Sequence, residues 1–214
     1  LLSAAGMAVI YCDPRGSTGY GREFAKSEYA WGDASYDDLM AFVDAAIENL
    51  PCIDPERLGV TGGSYGGLMV NRIIARTDRF KAAVNQRTFA NRATSYGTGD
   101  MGFVSDAAEK PRSFADYMFD RARKSAVTKI DAVKTPLLLL HGELDYRCTM
   151  EQSEQIFVAL KDRRPEVPAR MVIFPGENHN LTRTGKMRSQ IGHLREMRDW
   201  FAQHLAAQEN ATHG

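Results

Sequence analysis

The chain has 214 residues, with 27 basic and 27 acidic side chains, so its formal net charge is zero. That balance gives no field for a nucleic acid or an anionic membrane, and no apolar run approaches the ~20 residues a spanning helix needs. Hydrophobic residues make up 43% and charged residues 25%, the mixture of a globular domain with one sizeable core.

Residues 7–12 (MAVIYC) read as a buried strand, and residues 13–21 as a glycine-rich loop. Leu39, Phe42, Val43, Ala46, Ile47 and Leu50 recur at helical spacing, with Ser35 as N-cap. Residues 57–61 read as a second strand, followed by a turn at 62–67 and a helix to about residue 77. Residues 80–85 form the third predicted strand. From 88 to 134 strand patterning disappears and aromatics accumulate, which predicts a helical insertion near the site rather than a simple loop. Residues 135–141 contain a proline followed by four leucines, a buried strand. Thr149 and Gln152 make a capping-box pattern ahead of a helix carrying Ile156, Phe157 and Leu160. Residues 170–174 are the last predicted strand; the final helix carries Ile191, Leu194, Phe201 and Leu205, and 210–214 read as a frayed tail. Alternating strands and helices imply a mostly parallel sheet with helices on both faces, an α/β fold.

The turn at 62–67 reads Gly-Gly-Ser-Tyr-Gly-Gly. A G-x-S-x-G between a strand and a helix is a nucleophile elbow, in which glycines relieve crowding around a strained serine. Neither the lysine of a phosphate-binding loop nor a G-x-G-x-x-G register is present, so the motif carries no cofactor. A serine hydroxyl needs a base, and the base needs an orienting group. In the hydrolase order these follow as acid and then histidine, each just after a later strand. Asp145 and His179 occupy those places, which selects Ser64, Asp145 and His179.

Competitors stand near each position. Glu143 and Glu177 are carboxylates at strand ends, with Glu143 the better neighbour contact. His141 lies within a strand and reads as a hydrogen-bonded structural histidine; His193, His204 and His213 read as solvated. His141, Glu143 and Asp145 alternate, but no second ligand cluster supports a metal. Cys12, Cys52 and Cys148 are odd in number and scattered, which argues against a disulfide framework and suits a cytoplasmic setting. Cys148, close to Asp145, reads as a packing residue.

The chain resembles the C-terminal catalytic domain of the prolyl oligopeptidase family of serine peptidases, and within it the acylaminoacyl-peptidase branch. The resemblance rests on residues 13–21, Trp31-Gly32, the 62–67 turn, residues 82–87, residues 141–148 and Asn178-His179, all in the family's order. It implies an α/β-hydrolase fold and hydrolysis of short peptides through an acyl-enzyme, with no cofactor. Ser64 would be the nucleophile, His179 the base and Asp145 the orienting acid. Tyr65 would contribute its backbone N–H to the oxyanion hole, and Arg147 would place a guanidinium near the substrate backbone. The family's β-propeller and its His-Gly-Gly-Pro segment are not in this sequence. The expectation is therefore a partial hydrolase domain over 1–214 that lacks the first strands of the fold. The rest of the same polypeptide would then be a partner and would supply the second oxyanion donor. A homo-oligomer is compatible with the sequence. A carboxylesterase on the same fold, or an interaction module with an unused elbow, are the competing functions.

Overall fold

A computed structural model describes residues 1–26, 33–102 and 113–206, and these fall into two units, residues 1–56 and 57–214. Trp31-Gly32, part of the central insertion, His213 and the predicted tail lie outside the described residues.

In the first unit, helix α1 spans Ala34–Asn49. Its N-cap position is Asp33, not Ser35. Ser35 sits inside the first turn, and its hydroxyl donates to the Arg15 carbonyl at 2.9 Å. The Arg15 guanidinium pairs with Asp38 (Nη2–Oδ1 2.7 Å) and holds that carboxyl below its usual range. Residues 7–12 correct the sequence reading: they join no ladder, and Val9, Ile10 and Tyr11 are 52%, 38% and 90% exposed. An apolar run becomes a buried strand only where a neighbouring strand takes its backbone groups, and among the described residues none lies beside this one.

The second unit holds a four-stranded parallel sheet. Its strands are β1 (Leu58–Gly63), β2 (Phe80–Gln86), β3 (Leu137–Gly142) and β4 (Ala169–Phe174), adjacent in that order. Between β1 and β2 runs α2 (Tyr65–Ile74). Between β2 and β3 lie α3 (Arg92–Thr98), α4 (Phe114–Arg123) and a 3-10 helix, Ala126–Ala132. Then come α5 (Glu151–Arg163), the short α6 (Leu181–Thr184) and α7 (Met187–Leu205).

Strand alternation sorts the side chains between two helix layers. Ala83, Leu137 and Leu139 pack with Val70 and Ile74 of α2 and Ile156 and Leu160 of α5. Residues one step along turn to α7: the Thr61 hydroxyl meets the Met197 sulfur, and Phe174 packs its ring near His193. A sheet covered on both faces explains why β3 is four leucines with no polar alternation.

The capping box at Thr149 and Gln152 does not form. Helix α5 begins at Glu151, and the wholly buried Gln152 turns inward. Its Oε1 accepts from the backbone N–H groups of Ala90 and Asn91 at 2.9 and 2.7 Å. A glutamine that satisfies two buried donors across the fold is worth more there than at a cap.

The stripe on α7 also differs from its sequence reading. Ile191 and Leu194 are each 42% exposed, while Ser189, His193, Met197, Trp200 and Phe201 are buried. His193, solvated by the sequence reading, is 3% exposed; its Nδ1 has no partner among the described residues, and burial pushes its pKa down to about 4. The folded state therefore binds this proton less well than the unfolded chain. Stability is full above the ordinary histidine value near 6.5 and falls as pH drops from there towards about 4, by up to about 3 kcal/mol. His193→Phe is expected to flatten that part of the Tm–pH curve. An unchanged slope would place the acid sensitivity elsewhere.

Candidate active site

All four strands are parallel, so their C-terminal ends share one edge. Gly63 is level with Gln86, Gln86 with Leu140, and Gly142 with Phe174. The loops that leave this edge carry the three residues selected from the sequence.

Ser64 lies between β1 and α2 with φ 60° and ψ −116°, a conformation costly for a side chain with a Cβ. Its backbone N–H is fixed by the Gln86 carbonyl at 3.0 Å. Beneath the elbow, the buried Asn85 donates to the Gly67 carbonyl at 3.0 Å and to Asn71 Oδ1 at 2.7 Å; Asn71 in turn donates to the Thr88 hydroxyl at 2.9 Å. These bonds hold the start of α2 to β2, so the strained turn cannot relax without breaking them.

The acid and histidine loops are packed to backbone contact. A Cβ at Gly142 would lie 2.6 Å from the Glu177 carbonyl oxygen, and Leu144 N–H donates to that same oxygen at 2.8 Å. His179 Nδ1–H donates to Asp145 Oδ2 at 2.7 Å, and His179 Nε2 stands 3.0 Å from Ser64 Oγ. The other carboxylate oxygen, Oδ1, accepts the backbone N–H groups of Arg147 and Cys148 at 2.9 and 3.0 Å. Burial alone would raise the Asp145 pKa, but hydrogen bonds from His141 and His179 outweigh it and hold the carboxyl well below its usual range.

The competitors turn elsewhere. Glu143 accepts from Gly176 N–H at 2.8 Å, and the buried Glu177 accepts from Lys186 N–H at 3.2 Å. His141, buried within β3, accepts from the Ser153 hydroxyl at 2.6 Å and donates to the Cys148 carbonyl at 2.8 Å, with Asp145 Oδ2 at 3.4 Å. It is a structural histidine that also stands against the Asp145 carboxylate. Burial and the nearby Asp145 charge push the Cys148 thiol up to about 12, so it stays neutral.

Tyr65 is the first residue of α2, which sets its peptide unit at the N-terminal end of the helix, where negative charge is favoured. Arg147 is half-exposed, and its Nε donates to Asp100 Oδ1 at 2.6 Å.

Arg87 was not singled out from the sequence as a site residue. It follows β2 at φ 40°. Its Nη1 donates to the Thr182 hydroxyl at 3.1 Å, while a Cβ at Gly63 would lie 3.0 Å from its guanidinium carbon. Arg87 thus spans from the elbow strand to the segment after His179. Burial, and then Arg183, lower its pKa. The signals for it were its place at a strand end and inside the 82–87 segment of the resemblance.

The model of the prolyl oligopeptidase family matches residues 1–208. The protein named Uncharacterized peptidase YuxL of Bacillus subtilis (strain 168) is 48% identical over 209 residues, which is 96% of this chain and 31% of that protein. The Acylamino-acid-releasing enzyme of Arabidopsis thaliana is 33% identical over 193 residues, 85% of this chain and 25% of that protein. Among solved structures, the acylaminoacyl peptidase of Pyrococcus horikoshii matches with a TM-score of 0.80 and 27% identity, over 92% of this chain and 32% of its own. The chain therefore spans about a third or less of the length of these proteins.

Proposed function

The chain belongs to the prolyl oligopeptidase family, and on that premise we propose that it hydrolyses short peptides through an acyl-enzyme on Ser64. The observation that carries this reading is the unbroken hydrogen-bonded line from Ser64 Oγ through His179 to Asp145. His179 Nε2 takes the hydroxyl proton as Oγ attacks the scissile carbonyl. Asp145, ionised and held by two backbone N–H groups, fixes the proton on Nδ1 and stabilises the imidazolium. The Tyr65 N–H is the assigned first donor to the oxyanion, with the second supplied from outside this sequence. The imidazolium then protonates the leaving amine. Water, deprotonated by the same nitrogen, releases the acyl group and restores Ser64.

Arg147 presents guanidinium donors to a substrate carbonyl or carboxylate. The names of two relatives, an acylamino-acid-releasing enzyme and a probable dipeptidyl-peptidase, support N-acylated peptides or dipeptide units as the substrates proposed for this site. The free thiols of Cys12, Cys52 and Cys148 fit a cytoplasmic setting.

A fluorophosphonate probe is expected to leave one adduct, mapped by peptide mass spectrometry to Ser64. An adduct on any other residue would overturn the assignment. Matched N-acyl-peptide anilides, free aminoacyl anilides and short-chain esters then rank peptidase against carboxylesterase activity by kcat/KM.

A further inference from the structure

Arg147 is not a free cation. Its Nε is taken by Asp100 at 2.6 Å, with both side chains about half-exposed. Asp100 is itself fixed, because its backbone N–H donates to the Tyr146 carbonyl at 2.8 Å. Gly99 lies so close that a Cβ there would stand 2.8 Å from the Arg147 carbonyl oxygen. Two residues further on, the Thr149 hydroxyl meets that of Thr98 at 3.1 Å. The segment after α3 is thus strapped along the loop of the triad acid, whose Oδ1 accepts the Arg147 N–H. At the other end of α3, Asn91 caps the helix, accepting from Ala93 N–H at 2.9 Å.

On the hydrolase reading above, we propose that Asp100 is a positioning residue that sets the substrate charge accepted at Arg147. Because the bond to Asp100 is made by Nε, donors on the two terminal nitrogens of the guanidinium remain for substrate. Because the pair carries no net charge, those nitrogens favour a neutral carbonyl over a carboxylate. An unpaired guanidinium does the reverse. The pair therefore selects an uncharged acyl group at the end of a peptide and discriminates against an acidic one. A bystander ion pair would hold the loop but leave this choice unmoved. One unit of charge a few Å away in water is worth about a fivefold change in binding.

The test compares N-acetyl and N-succinyl forms of one peptide anilide, using the polypeptide that carries this chain. Asp100→Asn keeps the shape and an acceptor oxygen but removes the charge. It is expected to lower the KM of the succinyl substrate about fivefold relative to the acetyl one. Asp100→Glu is expected to restore the parent ratio, and Arg147→Gln added to Asp100→Asn to abolish the shift. An unchanged ratio in Asp100→Asn, with Ser64 still labelled by an uncharged fluorophosphonate, overturns this proposal alone. Loss of that labelling in Asp100→Asn makes Asp100 a strut of the acid loop and overturns it as well. Failure to label Ser64 in the parent brings down the hydrolase reading and this proposal together.

Discussion

Asp145→Asn is expected to lower kcat by about 10⁴ while leaving KM and the fold nearly unchanged. The size follows from which way the amide must point. Asp145 Oδ1 accepts two backbone N–H groups, from Arg147 and Cys148, and Oδ2 faces His179 Nδ1 and, at 3.4 Å, His141 Nε2. If the amide NH₂ replaced Oδ1, the buried N–H of Cys148 and the part-buried N–H of Arg147 would lose their acceptor and face a donor, at up to about 1–3 kcal/mol each. The NH₂ therefore takes the Oδ2 position and donates towards His179. The imidazole then accepts at Nδ1 and carries its proton on Nε2, and that nitrogen can no longer accept from Ser64. Raising the pH cannot repair this, because the fault is the tautomer and not the protonation state. The check is a steady-state assay beside thermal unfolding. A kcat within tenfold of the parent, with Tm preserved, would sink the proposed role of Asp145.

The convergence of Ser64, Asp145 and His179 was legible because its signals are local. A G-x-S-x-G after a strand fixes the elbow whatever the distant packing. Asp145 and His179 could be placed beside it because loops that follow parallel strands must leave from one edge, so chain order alone predicts convergence. What failed depended on neighbours that the sequence does not display. Residues 7–12 carry the composition of a buried strand, but composition is silent on whether a partner strand lies alongside. Ser35 and Gln152 have the right chemistry for caps; each found a stronger use across the chain, at the Arg15 carbonyl and at two buried amides. His193 reads as polar, yet its place on α7 faces the sheet beside Phe174. Asp100 lies in a stretch without periodicity, 47 residues from its partner, and no spacing rule reaches that far.

The elbow glycines yield the other large effect, and they divide more sharply than their symmetry suggests. The sequence reading gave Gly62 and Gly66 the same task of relieving crowding. In the structure, a Cβ on Gly62 would lie 2.4, 2.5 and 2.9 Å from the O, C and Cα of Gly66, all backbone of the first turn of α2. Among the described residues, a Cβ on Gly66 would meet nothing within 4 Å. The crowding is therefore one-sided: Gly66 is the obstacle and Gly62 the residue that must stay bare. Backbone cannot swing aside as a side chain does, and this turn is tied down by Ser64 N–H on the Gln86 carbonyl and by Asn85 on the Gly67 carbonyl. Gly62→Ala must tear at least one of these bonds or push α2 off β1. The expected cost is about 3 kcal/mol or more, with loss of fluorophosphonate labelling because Ser64 leaves the reach of His179. Gly66→Ala should fold normally and gain up to about 1 kcal/mol, since alanine outranks glycine inside a helix. Thermal unfolding and labelling of the two variants side by side decide the matter. Equal tolerance at 62 and 66 would mean that the turn is not held as tightly as these contacts require.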